Sequence, residues 1–304
     1  MNGRKEMLLQ NLSFNLRNIL EKVDEPLLDS LEEIRLRRNK PLFISSFEGD
    51  GYWSKHGEMT SEQKYAYHVQ KKDIDDTLEL MSQSSIYAFV EEIKKGFLTI
   101  KGGNRVGLCG RVVLKDGEVI NITDISAINI RLAKQVIGAA DPLMKEIFNH
   151  GIKNTLIISP PKCGKTTLLR DIARQLGNHI NVGIVDERGE LAACFHGEPQ
   201  LDVGQKTDVL DLCPKHIGML MLLRSMAPQV IITDEIATEK DMEAMIQAVN
   251  SGVGIIASAH GSNIEEVQRK MPIDVGLFER IIILSRKKGA GTIEKIVRSE
   301  EHVV

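Results

Sequence analysis

The residues best equipped for chemistry lie in one run, Ser159-Pro-Pro-Lys-Cys-Gly-Lys-Thr-Thr167. Gly164, Lys165 and Thr166 match the Gly-Lys-[Ser/Thr] end of a phosphate-binding loop. There, backbone N–H groups and a helix N-terminus cradle the phosphates of a nucleotide. On that pattern Pro160, Pro161, Lys162 and Cys163 form the cradle and Thr167 continues into the helix. Lys165 reaches the β/γ-phosphates and Thr166 holds Mg²⁺. Ser159 departs from the pattern, standing where a glycine usually leads the loop. A plain strand–turn–helix with a lysine at its start is the alternative. The flanks favour the loop, because an apolar run at 156–158 precedes it and Leu168, Leu169, Ile172 and Leu176 follow at helical spacing.

A second run, Val230-Ile-Ile-Thr-Asp-Glu235, reads as a buried strand ending in two carboxylates. After a phosphate loop, such a strand supplies a Walker B element. Asp234 then holds Mg²⁺, through water or through Thr166, and Glu235 orients and deprotonates an attacking water. Taken alone, a strand ending in Asp-Glu is a common feature of folds. Val185-Asp-Glu-Arg-Gly-Glu190 puts Asp186, Glu187, Glu190 and Arg188 past another strand, and Ile255-Ile-Ala-Ser-Ala-His260 ends in a histidine. Ligands gather outside the carboxyl ends of strands in open α/β sheets, so Glu187 and His260 join the candidates, His260 as a γ-phosphate sensor or a satisfied loop histidine. Arg224, just before the Walker B strand, either pairs with Asp186 or Glu187 or stabilises charge in trans.

The elements that must hold these residues fall into two blocks. Beyond the small-residue break at 137–142 the pattern alternates strand and helix, which predicts an α/β fold with a largely parallel sheet. Strands are expected at 155–159, 181–186, 230–234, 254–258 and 280–285, with a hairpin partner at 292–297 and a helix at 142–149. The preceding block predicts a smaller α+β domain over residues 1–137, leaving 138–304 to the nucleotide. Within it, helices are expected at 4–22, 25–31 and 73–95. Strands are expected at 33–38, 42–45, 97–100, 105–114, 118–122 and 127–132. Arg35 and Arg37 share one strand face; Arg105, Arg111 and Arg131 punctuate apolar strands and require a carboxylate, a partner surface or a phosphate.

Composition narrows the class. The 304 residues carry a net charge of −3, with 4% aromatic residues, so nucleic acid is not an expected partner. Four scattered cysteines, Cys109, Cys163, Cys194 and Cys213, have neither disulfide nor zinc spacing and read as free thiols. The apolar stretch at 217–236 is interrupted by Arg224 and Pro228, so no membrane span is expected. The first residues lack the layout of a signal peptide. The expected location is cytoplasmic, at most peripheral to a membrane.

The phosphate loop, the Asp-Glu-Arg box, Leu-Leu-Arg224 before the Walker B strand and Ala-His260-Gly together resemble the secretion ATPases of type II and type IV systems. A closer resemblance is to the stage III sporulation protein AA family. It is carried by Glu33-Ile-Arg-Leu-Arg, Gly102-Gly-Asn-Arg-Val-Gly, Asn129-Ile-Arg131, the segment 160–171, Val185-Asp-Glu-Arg and the segment 224–236, and so runs over nearly the whole chain. The resemblance implies a C-terminal RecA-like P-loop NTPase domain that hydrolyses ATP with Mg²⁺. It further implies a homo-hexameric ring in the mother-cell cytoplasm, docked on the membrane proteins of the channel complex facing the forespore. In such rings arginines of the N-terminal domain close on the phosphates, which makes Arg105, Arg111 and Arg131 candidates. Lys162, like Ser159, stands where the family more often has glycine. Two other functions remain open on the sequence: a nucleotide-dependent switch that turns ATP over little, and a nucleic-acid motor.

Overall fold

The computed structural model describes residues 3–82, 90–270 and 273–299. The chain divides into two compact units, Met1–Lys134 and Gln135–Val304.

The first unit opens with three short helices, α1 (Gly3–Leu9), α2 (Phe14–Leu20) and α3 (Glu25–Ser30). One helix was expected across 4–22. Ser13 divides it, because its hydroxyl caps α2 by accepting from the Leu16 N–H while its own N–H donates to Thr77 Oγ1. Strands β1 (Leu31–Arg37), β2 (Phe43–Ser46), β3 (Gly49–Trp53) and β4 (Met59–Thr60) follow, then helices α4 (Lys71–Met81) and α5 (Val90–Lys94). The middle of the helix expected over 73–95 falls at 83–89, outside the described residues. Strands β5 (Phe97–Ile100), β6 (Asn104–Lys115) and β7 (Glu118–Arg131) complete an antiparallel sheet in the order β4-β3-β2-β1-β7-β6-β5. The two strands expected at 118–122 and 127–132 are one strand. Pairing with β6 carries the strand through a bulge at Asp124, where φ is +48°, opposite the register shift between Cys109 and Arg111. Arg105 lies in β6 with its guanidinium 3.7 Å from the Phe97 ring centroid, and its register partner in β7 is Arg131. Arg111 is exposed farther along β6, and Arg35 pairs with Glu33.

The second unit contains α6 (Met144–Ile147), β8 (Thr155–Ser159), α7 (Lys165–Gly177), β9 (Val182–Asp186), β10 (Thr207–Asp211) and α8 (Lys215–Ser225). After these come β11 (Val230–Thr233), α9 (Glu239–Asn250), β12 (Gly254–His260), α10 (Ile264–Lys270), β13 (Arg280–Ser285) and β14 (Thr292–Arg298). The helix expected at 142–149 shortens to α6. The sheet order is β10-β9-β11-β12-β8-β13-β14, with every neighbouring pair parallel except β13 with β14. Every residue of β8 is buried. Ile157 joins Leu168, Leu169, Ile172 and Leu176 of α7 on one face, whereas Leu156 and Ile158 join Met219, Leu222 and Met245 of α8 and α9 on the other. Helices therefore cover both faces, and each fully buried Leu or Ile stabilises the unit by about 1.5–3 kcal/mol. Parallel strands gather their carboxyl ends on one edge, where Asp186, Thr233, His260 and Ser159 end their strands.

Candidate functional site

At that edge β8 passes into the loop at residues 160–164. Ser159 is fully buried, its hydroxyl donates to the Pro160 carbonyl at 2.9 Å, and it is not among the residues with positive φ. The left-handed positions are Lys162, at φ +57°, and Gly164, at φ +88°, which caps α7. A Cβ on Gly164 would meet the Gly291 nitrogen at 3.2 Å, so both φ and the close approach of the β13–β14 turn demand glycine there. The Gly291 N–H also donates to the Cys163 carbonyl at 2.9 Å, fastening that turn to the loop. Lys165 opens α7, is 8% exposed and donates to the Ser159 carbonyl at 3.2 Å. Thr166 and Thr167 sit half-buried in the same first turn. Pro161 and Lys162 are exposed, and Cys163 is buried. His260, half-buried at the end of β12, is the register partner of Ser159.

The carboxylates just past β11 face this loop across the end of β12, which lies between β11 and β8 in the sheet. Glu235 Oε1 lies 3.7 Å from Lys165 Nζ, and its Oε2 pairs with Arg188 at 2.7 Å. The Glu235 backbone has φ +31°, and its N–H donates to the buried hydroxyl of Ser258 at 2.9 Å. A non-glycine residue at such a φ is strained and persists because its surroundings fix it. Asp234 is 3% exposed; burial pushes its carboxyl up to about 6, with Lys215 pulling down and Asp186 pushing further up. Its Oδ1 accepts no hydrogen bond.

The Asp-Glu-Arg box divides its labour. Asp186 is fully buried and accepts the N–H groups of Glu190, Leu191 and Ala192, each at 2.9 Å. Arg170, buried on α7, donates to the carbonyls of Leu191 and Glu190, each at 2.6 Å. Those five bonds hold the turn that carries Glu187 and Arg188. Glu187 pairs with Lys215, the first residue of α8, whose Nζ is also 3.8 Å from Asp234 Oδ1. Gly218 lets α8 lie this close, since a Cβ there would meet Val185 Cγ1 at 2.5 Å.

Arg224 does not join the group. It lies exposed in the last turn of α8, nine residues beyond Lys215 and so about 13 Å farther along the axis, towards the opposite edge of the sheet. The expected partners are taken within the chain: Glu187 by Lys215, and Asp186 by backbone N–H groups. Sequence reasoning missed Lys215, Arg170 and Ser258. The available signals were a lysine directly after the Pro214 helix cap, an arginine on the apolar face of α7 and a serine inside an apolar strand.

The donor set suits a magnesium ion that arrives with a nucleotide. Among the described residues no three His, Cys, Asp or Glu side chains cluster closely enough to hold a metal by themselves. Asp234 Oδ1, a buried carboxylate oxygen without a hydrogen bond, is the kind of donor such an ion would use, with phosphate and water filling the remaining positions.

Comparison with known proteins follows the same lines. The family model described as "Sporulation stage III, protein AA" matches residues 2–304. The chain belongs to that family. Within it, the Stage III sporulation protein AA of Bacillus subtilis (strain 168) is 39% identical over 300 residues, 95% of this chain and 94% of the relative. Among solved structures, the ATPase DotB of Yersinia pseudotuberculosis superposes with a TM-score of 0.60 at 14% identity, over 95% of this chain and 81% of DotB. The pilus retraction motor PilT, solved with bound ADP, superposes with a TM-score of 0.55 at 14% identity, over 87% of this chain and 77% of PilT. At such identities the likeness is one of fold: this sporulation stage III AA chain has the mixed α/β fold of secretion ATPases. No helix among the described residues is long and apolar enough to cross a membrane.

Proposed function

We propose that the protein is a Mg²⁺-dependent ATPase, a secretion-ATPase-like motor that powers or gates a membrane channel complex between mother cell and forespore. It acts as a homo-hexameric ring in the mother-cell cytoplasm, peripheral to the membrane facing the forespore. The nucleotide unit is the RecA-like domain over 138–304. The observation that carries this reading is the meeting of two strand ends, where Lys165 of the phosphate loop lies 3.7 Å from Glu235 and Asp234 offers an oxygen without a hydrogen bond. In the proposed mechanism the loop residues 159–167 cradle the phosphates and Lys165 leaves the Ser159 carbonyl to meet them. Thr166 and Asp234 hold Mg²⁺, which when bound neutralises phosphate charge in the transition state. Glu235 orients and deprotonates the attacking water; His260 senses the γ-phosphate; Glu187 positions the cation side of the site. Arg224, at the far end of α8, acts on a neighbouring subunit.

The test is ATP turnover by the purified chain. Lys165→Ala is expected to abolish nucleotide binding, and Glu235→Gln to retain binding while lowering turnover by at least about a hundredfold. Unchanged rates in both variants would overturn the mechanism. A second reading, a switch that binds ATP but turns it over little, has one observation in its favour: both Glu235 oxygens are engaged, by Lys165 and Arg188. Tight ATP binding without turnover, in the assembled ring with its membrane partner, would favour the switch.

A further inference from the structure

Lys215 occupies a position that helix formation alone disfavours. It is the first residue of α8, where the backbone dipole is positive and four N–H groups lack intrahelical partners, yet it carries a positive charge. It is also 5% exposed, and a buried ammonium is costly unless compensated. A leucine or methionine would fill the space at no such cost. The compensation comes from two separate strand ends: Glu187, beyond β9, bonds the ammonium directly, and Asp234, beyond β11, lies 3.8 Å from it. The second distance is too long for a hydrogen bond, which leaves Asp234 Oδ1 charge-compensated but without a donor.

We infer that Lys215 is a stand-in cation, a positioning residue that holds Asp234 and Glu187 in place before metal and nucleotide arrive and that keeps the site closed to a free divalent ion. The inference rests on the proposed reading of Asp234 as a magnesium ligand. A lone ion approaching Asp234 meets a fixed positive charge 3.8 Å from its Oδ1, and repulsion at that distance in a buried site is strong. A metal–nucleotide complex brings phosphate charge that outweighs the ammonium, and Lys215 keeps Glu187 as its partner when Asp234 is engaged. The site is thereby selective for the complex over the bare ion. Glu190, Arg188 and Asp186 complete the charges around Asp234, and none of them supplies a donor to Oδ1.

The experiment measures Mn²⁺ binding by electron paramagnetic resonance without nucleotide, on the full chain, comparing wild type with Lys215→Met and Lys215→Arg. Mn²⁺ stands in for Mg²⁺ because both favour oxygen ligands. Lys215→Met is expected to bind Mn²⁺ at least about tenfold more tightly than wild type. Lys215→Arg should match wild type, and Lys215→Met with Asp234→Asn should lose the gain. Equal Mn²⁺ affinity in wild type and Lys215→Met would overturn the inference. Should Lys215→Met fail to fold in metal-free buffer, refolding in Mn²⁺ supports the inference, because the ion then replaces the missing charge. Failure to fold in both buffers overturns it. Wild-type binding of fluorescent ADP, run in parallel, separates the two readings. Without it the nucleotide reading fails; with it, and with no Mn²⁺ gain, only the role of Lys215 fails.

Discussion

Asp186 is the residue through which the candidate site depends most on a structural carboxylate, and its substitution has a calculable consequence. Its Oδ2 accepts the N–H groups of Leu191 and Ala192, and its Oδ1 accepts that of Glu190. Asp186→Asn with its carbonyl at the Oδ2 position keeps two of these bonds and turns an amide NH₂ against the third donor. One buried N–H left unsatisfied costs about 1–3 kcal/mol. Asp186→Ala strips all three donors; partial relaxation of the turn and entry of water bring the expected loss to about 3–5 kcal/mol, a large share of a domain's usual margin. Removing the charge relieves Asp234, whose carboxyl Asp186 pushes up, but also takes a counter-charge from the buried Arg170 guanidinium, so the two effects oppose and the range stands. Urea denaturation of all three proteins, fitted with a common slope, reads the order wild type, Asn, Ala directly. Trypsin cleavage after Arg188 should quicken in the same order, because the turn carrying it loses its anchor. An Asp186→Asn protein with the wild-type midpoint and no nucleotide binding would refute the reasoning, since Asp186 would then be a ligand group rather than a staple.

Two further outcomes follow from the same geometry. Ser159 keeps φ out of the left-handed region and its hydroxyl bonds only the adjacent Pro160 carbonyl, so Ser159→Gly should change nucleotide affinity by less than about tenfold in a binding titration. Glu146 of α6 accepts from Arg298 at 2.7 Å and 3.1 Å and pairs with Arg280 at 3.3 Å. The Arg298 hydrogen bonds hold its carboxyl below the ordinary 4.5, against a smaller upward push from burial. A depressed carboxyl contributes stability above its unfolded value and loses it as pH falls through the folded one. Glu146→Gln should therefore lower stability at pH 7 by at most about 1 kcal/mol, the group being partly exposed, with the difference from wild type closing in melts run below pH 4.5.

What could be read in advance followed from burial. Strands β8, β11 and β12 are covered by helices on both faces, so they appear as largely apolar runs, and the chemistry at their ends is then easy to locate. Strand β10, Thr207-Asp-Val-Leu-Asp211, forms the sheet's edge with every residue half-buried or exposed, and escaped notice because nothing forces its composition to be apolar. Strand β3 was missed as well: Gly49, Asp50 and Gly51 are poor strand formers, yet β3 is held by pairing with β2 and β4. The site divides along the same line. Lys165, Asp234 and Glu235 belong to contiguous motifs whose spacing is local, whereas their counter-charges come from tertiary placement. Lys215 is 28 residues from Glu187, and only the docking of α8 on β9 brings them together. Arg224 shows the converse. Lys215 and Arg224 are both basic and both lie shortly before β11 in sequence, and nothing local says which would face the carboxylates. The helix decides it, because its N-terminus follows β10 at the carboxyl edge and its rise carries the last turn about 13 Å away. A motif of contiguous residues thus marks the candidate phosphate-binding groups, and the direction of a helix selects the charges that steady them.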